Sequence, residues 1–134
     1  SKVDQTGQIE IKTLILNNIG LMYMQLEDYQ KALGYLEKSL GLADSTRSTR
    51  NQVACYNSLG YTHYYLGNYE QSLIYFDRSV AVCRDNPSYA PLYVAALQGS
   101  GLVYLQTGQF AEGVARYQQS LGLAKSLGLV EEQI

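Results

Sequence analysis

The chain has 134 residues, enough for one domain with a core of its own. Hydrophobic residues make up 46% and charged residues 16%, the formal net charge is −2, and the ten Lys and Arg residues are scattered, so the basic stripe that nucleic acid binding needs is missing. The apolar runs are only a few residues long, too short for membrane insertion, and no charged start leads into an apolar signal segment.

Residues 1–15 open a first helix, with Val3, Ile9 and Ile11 giving it apolar character. The text that follows, LNNIGLMYMQLEDYQKALGYLEKSL over 16–40, is restated at 56–80 as YNSLGYTHYYLGNYEQSLIYFDRSV. It returns at 97–121 as LQGSGLVYLQTGQFAEGVARYQQSL. The shifts are 40 and then 41 residues. A fixed period of this size predicts a stacked array, with repeats at about 8–44, 48–84 and 88–125.

Each unit reads as two helices. In the middle one, Tyr56, Leu59, Gly60 and His63 share a helical face. Gly67 and Asn68 then break the pattern, and Tyr69, Leu73, Phe76 and Val80 form the next stripe. So short a break makes the two helices antiparallel neighbours. A glycine inside a helix costs roughly 1 kcal/mol against Ala, so Gly20, Gly60 and Gly101 need a packing reason. Ala32, Ser72 and Gly113, each twelve residues later, suggest small residues meeting small residues where the helices cross. Asp85-Asn86-Pro87 reads as a turn before a third pair that starts near Ser88, with Pro91 tolerated in its first turn. After Leu127 the text GLVEEQI reads as the opening of a fourth repeat over 126–134, expected to continue in a longer protein or to be covered by another chain.

Four sets of residues now carry a resemblance: Gly20, Gly60 and Gly101; Tyr29, Tyr69 and Phe110; Ala32, Ser72 and Gly113; and Leu36, Phe76 and Tyr117. With them the chain resembles the tetratricopeptide repeat (TPR) family over nearly its whole length. The resemblance implies an all-α fold, a right-handed superhelix or solenoid of three TPR helical hairpins, whose first helices line a concave groove. The period is longer than the 34 residues common in the family. The longer form is similar to repeats of kinesin light chains, of the Pins/LGN spindle-orientation adaptors and of bacterial signalling proteins. The family's usual proline after the second helix is absent from repeats one and three.

Chemistry-bearing groups are few. His63 stands where the other repeats have Tyr23 and Tyr104, and reads as a core histidine with a hydrogen-bond partner. Cys55 and Cys83 open and close one hairpin and read as free buried thiols; antiparallel packing leaves their proximity open. Two Cys and one distant His do not make a zinc site, no glycine-rich phosphate loop is present, and no cofactor is expected. Glu27-Asp28 and Glu131-Glu132 read as solvated charge at a turn and near a terminus. No catalytic constellation can be built, so the chain reads as a non-enzyme.

The face of each first helix that turns away from its partner is the candidate binding surface. It carries Asn17, Asn18, Leu21, Met24 and Gln25 in repeat one, and Asn57, Ser58, Tyr61, Tyr64 and Tyr65 in repeat two. In repeat three it carries Gln98, Gly99, Leu102, Leu105 and Gln106. For Met24, Tyr64 and Leu105, packing against neighbouring repeats is an equal alternative. The stripe has no Lys or Arg, which argues against a carboxylate clamp of the chaperone-binding kind. Amide side chains suit a peptide backbone, because they donate and accept together. The expectation is a cytoplasmic protein-interaction module, part of a larger scaffold or signalling protein, that holds a peptide or protein segment. The alternative is a structural module that assembles with copies of itself, or with adjoining domains, through its uncapped ends.

Overall fold

The structure, a computed structural model, describes residues 2–131, and the side chains of 5–131. Among the described residues there are six α-helices and no strand: α1 Lys2–Gln25, α2 Tyr29–Thr46, α3 Thr49–Tyr65, α4 Tyr69–Cys83, α5 Ala90–Gln106 and α6 Phe110–Ser126. The chain is an all-α array of three antiparallel hairpins, α1–α2, α3–α4 and α5–α6. α1 begins at Lys2, within the 1–15 stretch expected to open the first helix. The third pair opens with a 3₁₀ turn at Pro87–Tyr89, and α5 proper begins at Ala90, with Pro91 in its first turn.

The three hairpin turns share one geometry. In each, the residue after the helix cap lies in the left-handed region: Glu27 at φ 62°, Gly67 at 80° and Gly108 at 78°. The next amide reaches back to the third carbonyl from the helix end: Asp28 to Tyr23 at 2.9 Å, Asn68 to His63 at 2.8 Å, Gln109 to Tyr104 at 2.9 Å. This is the Schellman motif, which satisfies carbonyls the helix end would otherwise leave bare.

The helix crossing explains the interior glycines, with a correction. A Cβ on Gly60 would stand 2.7 Å from the Phe76 ring, and one on Gly20 would stand 2.6 Å from Leu36. The glycine therefore makes room chiefly for the large residue of the second helix, sixteen positions on. The small residue does lie alongside: Ser72 Oγ donates to Gly60 O at 2.6 Å, and a Cβ on Gly113 would meet Gly101 O at 3.3 Å. Two core clusters result. Ala32, Leu36 and Leu59 join the first hairpin to the second, and Phe76, Val80, Ala96, Leu97 and Val103 join the second to the third.

α3 packs against both α1 and α5, whereas the second helices α2, α4 and α6 hardly meet one another. Helices that crowd on one side and splay on the other bend the stack. The first helices α1, α3 and α5 consequently line its inner, concave side.

Candidate functional site

The inner face divides the twelve predicted residues into two groups. Asn17, Asn57 and Ser58 are each only 7% exposed, so they belong to the frame and not to an open surface. Asn57 Nδ2 donates to Leu92 O of α5 at 3.1 Å, and Ser58 Oγ donates to Ala54 O one turn back at 3.0 Å. Tyr61 is half-buried; its hydroxyl donates to Ala95 O of α5 at 3.0 Å, and its ring meets Phe76 edge-on at 4.9 Å. Tyr64 packs at 5.9 Å from the Tyr69 ring, within the same core. Gly99 is buried as well, directly under Phe76, where a Cβ would overlap the ring. Of these residues, all but Gly99 expected to bind in the groove, Asn57 and Tyr61 give their polar ends to the next first helix, Ser58 bonds within its own helix, and Tyr64 and Gly99 pack in the core.

The second group stays open. Asn18, Gln25, Gln98 and Gln106 are exposed, Tyr65 is 53% exposed, and Leu21 and Leu102 are half-buried between them. Of the residues with two readings, Met24 packs on the first core cluster and accepts from Thr62 Oγ1 at 3.4 Å, while Leu105 is 45% exposed.

A notch of about 250 Å³ opens on this face between the α1–α2 turn and the end of α3. Met24, Gln25, Glu27, Tyr29, Tyr61 and Tyr65 line it. Tyr29 and Tyr65 stack, with ring centroids 5.4 Å apart and planes within 12°, and form one aromatic wall from two different repeats. Burial pushes the Tyr61 hydroxyl up to about 12, with the Tyr65 and Tyr117 hydroxyls adding to the shift. The Tyr29 hydroxyl is raised too, by desolvation first and then by Glu27 and Tyr65. At neutral pH both are uncharged phenols. Glu27 lies at the turn, as its position in the sequence suggests, but it also supplies the one charged group of the notch. It holds a left-handed conformation that Gly67 and Gly108 hold at the matching turns, which costs a side-chain-bearing residue about 1 kcal/mol. That departure from glycine was the sequence signal for the site.

His63 is 9% exposed, stacks on Tyr75 at 5.7 Å, and its Nδ1 lies 3.3 Å from Asn68 Nδ2. Burial lowers its pKa, against a smaller opposing effect of Glu37. Cys55 and Cys83 are free and buried. Each has its own serine: Cys55 Sγ lies 3.2 Å from Ser39 Oγ of the preceding hairpin, and Cys83 Sγ 4.0 Å from Ser79 Oγ. Burial pushes both thiols up, away from the reactive thiolate. No group of His, Cys, Asp and Glu able to hold a metal occurs among the described residues. Among them, too, no helix is long and apolar enough to cross a membrane.

The tetratricopeptide repeat family matches over residues 13–85 and again over 52–126. No curated protein matches the sequence. Two of the solved structures similar in fold illustrate the likeness. BtubC (BKLC) from P. vanneervenii has a TM-score of 0.77 and 18% identity over 87% of this chain and 48% of its own. A Signal Transduction ATPase with Numerous Domains (STAND) protein with a tetratricopeptide repeat sensor, from Pyrococcus horikoshii, has a TM-score of 0.78 and 24% identity over 90% of this chain and 19% of its own. This chain thus spans about half the length of the one and a fifth of the other. The two overlapping matches cover most of the sequence, and the three hairpins have the geometry the pattern demands: the chain belongs to the tetratricopeptide repeat family.

Proposed function

We propose that this chain holds a peptide or protein segment along the inner face of α1, α3 and α5. Tetratricopeptide repeats are generally protein–protein interaction modules, and the family is typically non-enzymatic. One observation carries the reading to this face. Asn18, Gln25, Tyr65, Gln98 and Gln106 are exposed along it, and none bonds to another described residue. Polar side chains that the fold does not use can pair with the backbone of a bound segment. Half-buried Leu21 and Leu102 offer apolar contact between them. Neighbouring helices sit about 8–10 Å apart, so an extended segment rising about 3.3 Å per residue would meet one helix roughly every third residue. A scaffold or adaptor role in the cytoplasm, where thiols stay reduced, fits Cys55 and Cys83.

The test is selection of randomised peptides displayed against the folded chain, with binding mapped by backbone NMR shifts. Selected peptides should shift α1, α3 and α5, and Gln98→Ala with Gln106→Ala should weaken them about tenfold without moving the melting temperature. Full affinity in that double variant, or shifts confined to α2, α4 and α6, would sink the reading.

A second reading has its own observation. Ile15 and Met22 on the outer side of α1 are 52% and 68% exposed, and Phe110 and Val114 of α6 are 61% and 53% exposed. Inside the array the matching positions are buried, Cys55 and Thr62 in α3, or half-buried, Tyr69 and Leu73 in α4. These end faces suit stacking on a further repeat or on a second copy. Sedimentation over a range of concentrations would show association, and a clean monomer at high concentration would count against it.

A further inference from the structure

The notch between the first two hairpins is too small and too open for a cofactor, and its walls are of one kind. Ligand pockets for whole small molecules are usually about 300–1,000 Å³, whereas this one holds about 250 Å³ and opens onto the inner face. Its volume suits one long side chain. Tyr29 and Tyr65 stack to form one wall, and a tyrosine ring face carries negative π-density that attracts a cation. Glu27 adds a full negative charge, and Gln25 adds a carbonyl acceptor. No Lys or Arg lines the notch, and among the described residues Glu27 has no ion-pair partner. The nearby lysine, Lys31, is placed elsewhere, 5.5 Å from the Tyr23 ring and 4.0 Å from Asp28 Oδ2. The stacked tyrosine pair and the turn carboxylate come together at this notch. At the next junction Gly67 replaces Glu27 and Gln106 replaces Tyr65, so neither the carboxylate nor the second ring of the stack is present.

We propose that this notch is the pocket for an arginine side chain of the bound segment, and that it fixes where along the inner face that segment sits. A planar guanidinium stacks on the Tyr29–Tyr65 wall and offers a fork of N–H donors to the Glu27 carboxylate and the Gln25 carbonyl. A lysine ammonium, a compact and strongly hydrated point charge, uses the flat wall less well. The inference rests on the inner-face reading and adds to it the chemistry of one anchor. It also accounts for a glutamate at a turn where glycine would be unstrained.

The experiment uses N-acetyl-arginine amide titrated into the whole chain and followed by backbone NMR. Saturable shifts at Gln25, Glu27 and Tyr65 are expected, in the millimolar range. N-acetyl-citrulline amide has the same shape without the charge and should bind about tenfold more weakly, as should arginine to the Glu27→Gln variant, which keeps the size of the side chain. N-acetyl-lysine amide should fall between. No saturable shift, or equal binding of citrulline, or equal binding of lysine, would overturn the arginine assignment. Peptides selected on the inner face separate the two claims. If replacing their arginine by citrulline leaves affinity unchanged, the notch is not the anchor although the face still binds; if their shifts avoid α1, α3 and α5, the face itself is wrong.

Discussion

The two junctions of this array are built from the same pattern and are not equally closed. Between the second and third hairpins, Phe76 lies between Gly60 of its own hairpin and Gly99 of the next. Asn57 and Tyr61 add two side-chain bonds from α3 to carbonyls of α5. Between the first and second hairpins, the matching residues are Leu36, Ser58, Asn17 and Leu21. Leu21 has no hydroxyl to give, and Asn17 makes no bond like that of Asn57 to Leu92 O, although the Oδ1 of both asparagines is buried without a partner. The first junction keeps the 250 Å³ notch, and a second, small void of about 10 Å³ near Asn17, Ser39 and Cys55. That void is at the lower limit for a single water, which would satisfy Asn17. A repeat fixes where the large and small residues go; their sizes decide whether a junction is sealed or left open for a ligand.

The largest effect should come from exchanging sizes across the sealed junction. Gly99→Ser places a Cβ inside the Phe76 ring, which is fully buried and has nowhere to swing. We expect a loss of about 1–3 kcal/mol, the usual cost of overpacking. Phe76→Leu should rescue it, because Leu with Ser is the pairing of Leu36 with Ser58 at the first junction. Denaturant melts of the two single variants and the double should give a coupling of about 1–2 kcal/mol. Strict additivity would mean that the ring and the glycine do not constrain each other.

A smaller effect tests the side-chain bonds from α3 to the carbonyls of α5. Tyr61→Phe keeps the ring on Phe76 and removes the hydroxyl that donates to Ala95 O. The loss should be about 0.5–1.5 kcal/mol in chemical denaturation. Leu21→Val, at the matching place in α1, changes volume and no hydrogen bond. If Tyr61→Phe melted like the wild type, the bond would contribute nothing, and Tyr61 would again be free for the groove.

How much of this could be read in the sequence follows from the same contrast. The period, the hairpins, the core role of His63 and the all-α fold were legible, because three restatements of one pattern average out local accidents. The fate of Asn57 and Tyr61 was not. Periodicity gives the angle of a side chain around its own helix, but not how closely the next first helix approaches. Asn17 and Asn57 have the same angle and the same burial, yet only Asn57 has a carbonyl within reach. The reason for the glycines was half legible: the crossing was evident, but the twelve-residue partner hid the sixteen-residue one, Leu36, Phe76 or Tyr117. Glu27 was legible in principle. It stands out once Gly67 and Gly108 are aligned with it, yet an acid beside an Asp at a turn looks like ordinary solvated charge.

The smallest effect concerns His63, which replaces a tyrosine of the flanking hairpins. Tyr23 stacks on Tyr35 at 5.5 Å, and His63 stacks on Tyr75 at 5.7 Å, so the ring's packing is common to the first and second hairpins. Only the histidine titrates near neutrality. The Asn68 amide nitrogen can only donate, so the Nδ1 beside it accepts, and a proton there would set donor against donor. Burial already holds the folded pKa below its usual 6.5, with Glu37 opposing. The sign follows. As pH falls below about 6.5 the unfolded chain takes up the proton first, so stability is fully present above that value and declines toward the lower folded pKa. His63→Tyr restores the residue of the flanking hairpins and removes the titration. Urea midpoints measured between about pH 7 and pH 5 should fall further for the wild type than for His63→Tyr. Parallel curves would mean that the imidazole takes up its proton equally in both states, and that the middle hairpin differs from its neighbours in shape alone.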